Sequence, residues 1–328
     1  MSYFQGKGQQ MPCTQNVGPY VISGDSHGLL KKWAGQLGFS IPPPQFFQEM
    51  ADRRMEILRR LFSFFCVHVD EEELTLGVSR ELSTSNLPIV ALDQNYVTGE
   101  HVSLEVSRLC DPVTFEGKKL GSRTEESISS QVDRIANVLG QSEVQLVDDV
   151  VFSGTDLSTK IIPMLREREI TVRRIVTGIL IGDGRANLEA SEHCAGVEIA
   201  AVREFTKVHD EICERDFLAG VPQSGRLFGN NGISVSPRTC APYFLPFTKN
   251  GNGKCFLKDW AALNSEEMPA QVQGWSIFCI EQSTNLWREV ERLSGRWVHC
   301  SQLDRRPWGI PYDDSRFVEH LTRLLEAF

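Results

Sequence analysis

The sequence lacks an apolar run long enough to cross a membrane. Among its 328 residues the longest candidate stretch is Leu61–Val67, whereas a membrane-spanning helix needs about 20 predominantly apolar residues. The amino-terminal residues also lack the basic-then-apolar layout of a secretory signal peptide. We therefore expect neither a membrane span nor a signal peptide.

Closely paired cysteines are absent as well. The nine cysteines are odd in number and widely spaced, and no Cys-X-X-Cys occurs, which excludes the usual zinc-ribbon and thioredoxin-like motifs. Cys240, Cys255, Cys279 and Cys300 match no compact zinc-binding pattern. We interpret the cysteines as reduced thiols and expect a cytoplasmic protein.

The sequence also lacks a surplus of basic charge. It has 34 Lys and Arg against 43 Asp and Glu, which gives a formal net charge of −9. This balance argues against nucleic acid as an obligate partner bound without regard to sequence. The hydrophobic fraction of 41% and the charged fraction of 23% are those of an ordinary globular protein. The length predicts two domains.

What the sequence does contain is an alternation of helix and strand patterns over residues 45–227. Apolar residues recur at helical spacing from Phe46 to Phe65, and Ser122–Glu125 has the form of a capping box that opens a helix ending at Gly140. A further helix is predicted over 157–169, and strands are predicted over 74–78, 87–92, 102–109, 144–151, 172–181 and 197–202. This alternation predicts an α/β fold with a parallel sheet.

The last hundred residues differ in composition, because five of the six tryptophans lie there. We predict a strand over 275–280, a helix over 285–293, a strand over 296–300 and a helix over 317–328. This order predicts a smaller α/β domain over 228–328, after an amino-terminal extension over 1–44 and the core domain over 45–227. A functional surface on the smaller domain would bind a partner protein or a second substrate. For the chain as a whole, a protein partner or a homo-oligomer is the expected assembly.

The stretch Val144–Asp156 carries the most chemical information. Two adjacent acids, Asp148 and Asp149, end an apolar strand, and a short loop then leads into a helix. The carboxyl end of a strand followed by a helix amino terminus is where α/β sheets bind phosphate groups. Gly154 lets the backbone of this loop approach an anion closely. The sequence therefore predicts a nucleotide-type or sugar-phosphate site here.

This stretch resembles the phosphoribosyl pyrophosphate (PRPP) signature of the phosphoribosyltransferase superfamily, above all its type I members. The resemblance implies that Asp148 and Asp149 hold the ribose 2′- and 3′-hydroxyls. It also implies that Ser153, Gly154 and Thr155 cradle the 5′-phosphate and that Mg²⁺ bridges the pyrophosphate and the ribose. The order of the surrounding elements resembles the family over residues 45–225, whereas the last hundred residues do not resemble it.

The same resemblance implies that Gly77–Glu81 is the pyrophosphate loop. Ser79 and Glu81 would then contact the pyrophosphate, and Arg80 would supply positive charge to the leaving group. The segment 111–123 is the candidate for the family's mobile catalytic loop, and a solvated linker is the alternative interpretation.

Two positions depart from the family's pattern. Asp156 stands where the signature ends in threonine, and a carboxylate there repels a phosphate unless its charge is offset. We interpret Asp156 as the N-cap of the following helix. Phe152 occupies the position at which purine-salvage members carry an acid that acts as a base toward the nucleobase. That mechanism is therefore not supported, and Phe152 is expected to contact the substrate only.

A second candidate region lies beyond the last core strand, over residues 209–226. Phe217 could stack on an aromatic ring, Asp216 could accept a hydrogen bond from an amine, and Arg226 could bind an anionic acceptor. A polar connector between two domains is the alternative interpretation of this region.

Together these residues favour a phosphoribosyltransferase-like enzyme that binds PRPP or a 5′-phosphoribosyl nucleotide with Mg²⁺. It would transfer 5-phosphoribose to a nitrogenous, nucleobase-like acceptor and release pyrophosphate. Two alternatives stay open. One is a regulator that senses PRPP or a nucleotide and acts through its carboxyl-terminal domain, and the other is a hydrolase of phosphoribosyl bonds.

Overall fold

The computed structural model describes residues 18–111, 117–230, 233–242 and 269–328. Strands and helices alternate along most of this part of the chain. In order they are β1 (Tyr20–Ser23), α1 (Ser26–Leu37), α2 (Pro44–Phe62), β2 (Cys66–Val69), α3 (Glu71–Leu82), β3 (Ile89–Ala91), β4 (Val102–Ser103), β5 (Val106–Cys110), β6 (Gly117–Ser122), α4 (Ile128–Leu139), β7 (Glu143–Val151), α5 (Ile162–Arg166), β8 (Thr171–Ile181), α6 (Gly184–Ala190), β9 (Glu198–Phe205), β10 (Asp210–Cys213), β11 (Arg226–Asn230), β12 (Ile233–Ala241), α7 (Pro269–Ser294), β13 (Arg306–Pro307) and α8 (Phe317–Glu326).

These strands form three sheets. Sheet A has the order β10-β1-β2 and sheet B the order β4-β3-β7-β8-β9, and the strands of both pair in parallel. Sheet C has the order β13-β12-β11-β5-β6 and is mixed, since β5 pairs antiparallel with β6 and β11 with β12. The parallel sheets with helices between their strands confirm the predicted α/β fold class.

Sheet B explains the long apolar strands that the sequence predicts around residues 144–151 and 172–181. Residues of α4 and α5, such as Ile135 and Leu165, pack against one face, and residues of α3, such as Val78, pack against the other. A strand covered on both faces needs apolar side chains on both, so its sequence reads as a continuous apolar run. The predicted strands β7, β8 and β9 are confirmed.

Helix α3 replaces the strand predicted over 74–78. Glu71–Glu73 occupy its first turn, where negative charge stabilises a helix amino terminus. Leu74, Val78 and Leu82 follow at four-residue spacing and are buried on one face. The strand prediction is wrong because it rests on five residues whose alternation fits a strand, whereas the longer window has the helical period.

Helix α4 begins at Ile128, beyond the end of the predicted capping box Ser122–Glu125. Its N-cap is Ser127, whose Oγ accepts the N–H of Ser130 at 3.1 Å. Ser122 instead ends β6, and its Oγ accepts a hydrogen bond from the Gln131 side chain at 2.8 Å. The capping box is therefore a wrong prediction, while the helix and its end before Gly140 are confirmed.

The helix predicted over 157–169 starts with a π-helical turn over Leu157–Ile161 and continues as α5. Pro163 lies in the first turn of α5. A proline cannot donate the i→i−4 hydrogen bond, and the wider turn before it accommodates that loss.

The amino-terminal residues 18–44 are part of the fold and not an extension of it. β1 is fully buried and lies in the middle of sheet A between β2 and β10. The predicted extension is wrong for this segment, and residues 1–17 lie outside the described residues. Helix α2 agrees with the helix predicted over 46–65, but its Arg54 is buried, with Nη1 2.7 Å from Glu214 Oε1.

A single 26-residue helix, α7, replaces the strand and the helix predicted over 275–293. Trp275, Cys279, Leu286 and Val290 are fully buried, at spacings of one helix face. The strand predicted over 296–300 is a turn followed by a short 3₁₀ turn, Cys300–Gln302. The strand prediction over 275–280 is wrong because a few aromatic and branched residues outweighed the longer helical period. The prediction over 296–300 is wrong because His299 alone forms a β-bridge there, to Arg316. The final helix is confirmed as α8.

One hydrophobic cluster joins both ends of the chain around sheet A. It includes Leu30 of α1, Phe47 of α2, Phe217 after β10, and Trp275 and Trp287 of α7. The described part of residues 228–328 therefore completes this shared core, and the predicted separate α/β domain is wrong there. None of the helices described is both long and apolar enough to cross a membrane.

Candidate functional site

A cavity of about 480 Å³ lies where the three sheets meet. Sheet A contributes β10, sheet B the end of β7 with the loop after it, and sheet C parts of β5, β6 and β11. Its acidic lining residues are Asp148, Asp149, Asp156, Asp210, Glu211 and Asp216, and its basic ones are Arg108, Arg123, Arg215 and Arg226. The lining thus carries more carboxyl groups than guanidinium groups.

The loop after β7 forms one wall of the cavity. Gly154 has a φ of +66°, and a Cβ at this position would lie 2.6 Å from Leu188 Cγ, so the loop requires glycine here. Ser153 Oγ and Thr155 Oγ1 lie 2.9 Å apart, and the Phe152 side chain is half-exposed beside them. The structure thus places the predicted phosphate loop at the cavity, and its binding of a phosphate stays a prediction.

Asp149 is a buried carboxylate whose oxygens already have partners. Its Oδ1 accepts the N–H of Val150 at 2.8 Å, and its Oδ2 lies 2.8 Å from Arg215 Nη2. Burial alone would raise the pKa of Asp149, but the charges of Arg215 and Arg123 outweigh burial and hold the pKa below its ordinary value. Asp149 is therefore a fixed anion.

Asp148 has different surroundings, although it is the next residue along β7. It is half-buried, and its Oδ1 accepts the N–H of Asp149 at 3.1 Å. Burial and the negative charge of Asp149 raise the pKa of Asp148 well above its ordinary value. Of the two acids, Asp148 retains more capacity to accept hydrogen bonds from a ligand in the cavity.

Arg215 joins the carboxyl ends of the two parallel sheets. Asp25, Asp93 and Arg215 each lie two residues past the end of a strand, namely β1, β3 and β10. The Arg215 guanidinium pairs with Asp25, with Asp149 at 2.8 Å and with Asp93 at 3.6 Å, and these side chains are at most 11% exposed. Burial raises the pKa of Asp25 well above its ordinary value, although the charge of Arg215 acts in the opposite direction.

Arg123 extends this network to sheet C. It follows β6, and its Nη2 lies 2.9 Å from Asp93 Oδ2. Its Nε donates to the Val106 carbonyl at 2.6 Å, and its Nη1 donates to the Gln223 side chain. Of the candidate catalytic loop over 111–123, residues 112–116 lie outside the described residues. The rest is mainly β6 and Arg123, whose side chain is 13% exposed and paired with Asp93, which contradicts a solvated linker.

Asp156 does not cap the following helix with its side chain. Its Oδ1 lies 2.7 Å from Lys160 Nζ, and its Oδ2 lies 3.4 Å from Arg108 Nη2. The N-cap interpretation is therefore wrong, because two cations bind the carboxylate instead. They offset its charge beside the phosphate loop, and Arg108 adds a guanidinium to that wall of the cavity.

The residues predicted for the pyrophosphate loop lie in α3 and do not line the cavity. The Arg80 side chain is 74% exposed, with Nη2 3.6 Å from Glu81 Oε1. Glu81 Oε2 lies 2.9 Å from Arg174 Nη2, and Ser79 Oγ lies 2.8 Å from Thr98 Oγ1. This prediction is wrong because it depends on the strand that α3 replaces.

The second candidate region has a mixed outcome. Phe217 is fully buried and packs edge-to-face on Trp275, with ring centroids 5.1 Å apart, so it cannot stack on a ligand. Asp216 and Arg226 do line the cavity, and Asp216 Oδ1 accepts the N–H of Gly225 at 2.7 Å. Burial raises the pKa of Asp216. A contact of either residue with an acceptor stays a prediction.

Two further acids that line the cavity have raised pKa values. Glu211 Oε1 accepts the Ser23 hydroxyl at 2.6 Å, and burial raises the pKa of Glu211 well above its ordinary value. Burial also raises the pKa of Asp210 to about 6. The acidic surplus is thus smaller than the number of carboxyl groups suggests.

The sequence predictions gave no role to Asp25 and Asp93. They included Arg123, Glu211 and Arg215 only as members of the candidate segments 111–123 and 209–226. A signal was available for some of them, since a charged residue just past a buried strand tends to lie at the ligand-binding edge of a parallel sheet. Asp93 follows the predicted strand 87–92, and Arg215 lies in the stretch 209–226. Asp25 carried no such signal because β1 was not predicted.

The chain matches no protein-family model and no curated protein. Solved structures with a partial likeness include several phosphoribosyltransferases. Leishmania donovani UMP synthase is 15% identical, with a TM-score of 0.25, and the match covers 41% of this chain and 27% of that one. The adenine phosphoribosyltransferase of Thermoanaerobacter pseudethanolicus is 14% identical, with a TM-score of 0.28 and coverage of 41% and 80%.

A hypothetical protein of Neisseria gonorrhoeae with bound ppGpp is 9% identical to this chain, with a TM-score of 0.30 and coverage of 44% and 82%. Identities and TM-scores this low support no conclusion about ligand or activity.

Proposed function

We propose that the cavity binds PRPP or a 5′-phosphoribosyl nucleotide together with Mg²⁺. The chain would transfer 5-phosphoribose to a nitrogenous, nucleobase-like acceptor and release pyrophosphate. One observation supports this proposal above the others. Asp148 and the hydroxyl-glycine-hydroxyl loop Ser153–Thr155 line the same cavity at the carboxyl end of a parallel strand, where the sugar and the 5′-phosphate of one ligand can be bound together.

The surroundings of the two acids suggest different roles. Asp148 would accept hydrogen bonds from the ribose hydroxyls, because its carboxylate has capacity left. Asp149 would act as a positioning residue, because Arg215 and Val150 already bind its oxygens. Arg108, beside Asp156, would take the part that the sequence assigned to Arg80 and supply positive charge to the phosphates.

The lining residues fit a divalent cation. Mg²⁺ prefers oxygen ligands and is commonly bound by one or two carboxylates together with substrate phosphates. Burial and the charge of Asp149 raise the pKa of Asp148. A bound cation would act in the opposite direction and favour the ionised form of Asp148. When bound, Mg²⁺ would neutralise charge on the pyrophosphate, and Asp148 and Asp149 are the residues that would hold it through the ligand.

The transfer itself would break the bond between C1′ and the pyrophosphate oxygen and form a bond between C1′ and the acceptor nitrogen. The proton of that nitrogen would leave to water, and pyrophosphate would carry away the electron pair of the broken bond. The chain would contribute mainly orientation of the two reactants and fixed charges around the leaving group.

Calorimetric titration with PRPP and Mg²⁺ tests the binding. We expect Asp148→Asn to weaken the affinity at least about tenfold, which equals about 1.4 kcal/mol. The matched control is Asp133→Asn, which changes an exposed acid of α4 paired with Arg168, and it should bind as the wild type does. If Asp148→Asn binds equally well, the assignment of this site is wrong.

One observation favours a second function, that of a non-catalytic PRPP or nucleotide sensor. The residues assigned to the pyrophosphate loop are helical and lie away from the cavity. Pyrophosphate release in the presence of PRPP, Mg²⁺ and a panel of nucleobases separates the two. Base-dependent release supports transfer, release without a base supports hydrolysis, and binding without release supports the sensor.

A further inference from the structure

A cluster of metal-binding side chains lies outside the cavity, in the carboxyl-terminal part of the fold. It consists of Cys300 in the short 3₁₀ turn after α7, Asp313 in the loop before α8, and His320 in α8. One potential ligand atom from each residue lies within 4.8 Å of those of the other two. Cys300 is fully buried, Asp313 is exposed and His320 is half-buried.

The backbone holds this cluster together without the side chains. The N–H of Cys300 donates to the Ser315 carbonyl at 2.9 Å, and the N–H of Ser301 donates to the Asp313 carbonyl at 2.7 Å. These two bonds fix the 3₁₀ turn against the loop. The N–H of Phe317, at the start of α8, donates to the Val298 carbonyl at 2.9 Å and holds the helix that carries His320 beside the same turn.

The hydroxyl of Ser315 lies at the centre of the cluster. It is 2.8 Å from His320 Nε2 and 3.7 Å from Cys300 Sγ, and it donates to Asp313 Oδ1. The Ser315 hydroxyl oxygen therefore marks the point on which the thiol, the imidazole and the carboxylate converge. Rotation of the Ser315 side chain would make that point available to an ion.

We propose that Cys300, Asp313 and His320 form a Zn²⁺ site. A thiolate, an imidazole and a carboxylate together suit zinc, whereas Mg²⁺ and Ca²⁺ take oxygen ligands only. Tetrahedral zinc places its ligand atoms about 3.3–3.8 Å apart, so the three atoms, which lie within 4.8 Å of one another, would move closer together on binding. Water or the Ser315 hydroxyl would be the fourth ligand, and the thiol proton of Cys300 would be released on binding.

A zinc ion bound here would fix the position of a segment that extends toward the main cavity. The 3₁₀ turn leads directly to Asp304, whose Oδ2 accepts the N–H of Gln223 at 2.9 Å, and Gln223 lines the cavity. The site does not depend on PRPP binding, because none of its three residues lines that cavity. Its role would be structural, and zinc should stabilise the fold.

Metal content of the full-length chain tests the proposal. After incubation with Zn²⁺ and gel filtration, we expect one zinc per wild-type chain by elemental analysis. Co²⁺ used as a probe should give a thiolate-to-cobalt charge-transfer band. Cys300→Ser should abolish that band and lower the zinc affinity by more than about a hundredfold, the upper end of what loss of an outer-shell partner causes.

Two matched controls separate this site from other thiols and acids. Cys194→Ser changes a buried cysteine that lies far from Cys300 along the chain. Asp314→Asn changes the acid next to Asp313. Both variants should keep the cobalt charge-transfer band. Ser315→Ala removes the central hydroxyl, but water can take its place as the fourth ligand, so this variant should also retain zinc. Asp313→Asn serves as the second ligand variant if Cys300→Ser does not fold.

The proposal is overturned if the wild-type chain retains no zinc. It is also overturned if Cys300→Ser or Asp313→Asn retains as much zinc as Asp314→Asn does. Either result would leave the cluster as a hydrogen-bond network around Ser315.

Discussion

At the scale of single residues, Arg215 determines the charge of the cavity. Its guanidinium is the shared partner of Asp25, Asp93 and Asp149 in a region from which water is nearly excluded. Removal of one partner of a buried ion network leaves the others as uncompensated charges, which is far more unfavourable than loss of a surface pair. The stability of the fold and the shape of the site therefore depend on the same side chain.

Arg215→Met should lower the free energy of unfolding by about 3–5 kcal/mol, because it leaves buried carboxylates without their cation. Arg80→Met removes an arginine that is 74% exposed, so the change should stay within about 0.5 kcal/mol. Urea denaturation at pH 7 measures both. Equal effects of the two substitutions would contradict the role of Arg215 as the shared partner.

Asp210 predicts a pH dependence of stability. Burial raises its pKa in the folded chain to about 6, against an ordinary value of 3.8. The folded state then binds the proton more tightly than the unfolded state does, so this carboxyl stabilises the fold below about pH 4. That contribution is lost as the pH rises through 6.

Asp210→Asn removes this titration and keeps the size of the side chain. Relative to the variant, the wild type should lose at most about 3 kcal/mol of stability between pH 4 and pH 7. Denaturant unfolding of both proteins across this range measures the difference. A difference that does not change with pH would show that Asp210 titrates normally.

The sequence predicted those site residues that follow one another along the chain. Asp148, Asp149 and the loop after them lie in one short stretch with a recognisable order of residue types. Asp25 and Asp93 could not be linked to Arg215 in that way, because 190 residues separate Asp25 from its partner. Contacts of this kind follow from sheet pairing, which a local pattern does not encode.

At the scale of elements, the turn after β7 is the most demanding piece of backbone. Gly154 and Gly182 both have positive φ values, +66° and +58°. A Cβ at Gly154 would collide with Leu188, whereas a Cβ at Gly182 would meet nothing within 4 Å. Gly154 is therefore required by packing as well as by backbone conformation, whereas Gly182 is required by backbone conformation alone.

Gly182→Ala should destabilise the fold by about 1–2 kcal/mol, the strain of a left-handed residue. Gly154→Ala should cost about 1–3 kcal/mol more, because the methyl group overpacks the turn, and it should also weaken PRPP binding. Thermal unfolding and calorimetric titration of the pair provide the comparison. Equal stability of the two variants would contradict the close packing on Leu188.

Sequence patterns predicted the long elements of sheet B because their apolar runs are unambiguous. The same patterns failed at α3 and α7, where short apolar stretches fit both the two-residue period of a strand and the 3.6-residue period of a helix. In α3 the glutamates of the first turn and the spacing of Leu74, Val78 and Leu82 decide for the helix. In α7 the helix is favoured by packing against α8 and against α2, the latter far away in sequence.

At the scale of the whole molecule, the shared core makes the two ends of the chain interdependent. Trp287 Nε1 donates to the Ala219 carbonyl at 2.6 Å, and Trp275 packs against Phe217. Helices α7 and α8 therefore cover sheet A, whose middle strand is the amino-terminal strand β1. A division at residue 227 would cut through this core.

A chain that ends at residue 227 should not fold cooperatively, because it would expose the apolar surface that α7 and α8 cover. We expect aggregation in gel filtration and a weak near-ultraviolet circular dichroism signal. Trp275→Ala in the full chain should cost about 3–5 kcal/mol, whereas Trp297→Ala, at a side chain 59% exposed, should cost about 1 kcal/mol or less. A truncated chain that stays monomeric and unfolds cooperatively would restore the two-domain prediction.

The position of β1 also determines when the protein can fold during its synthesis. Tyr20 pairs with Cys66 on one side and with Asp210 on the other, so one of its partners leaves the ribosome long after it. At typical elongation rates the delay is about 10–40 s. Throughout that interval a strand that is fully buried in the finished fold has one open edge, which is a template for pairing with other chains. Slower translation or loss of a chaperone should therefore reduce the yield of folded protein before it affects any property of the folded state.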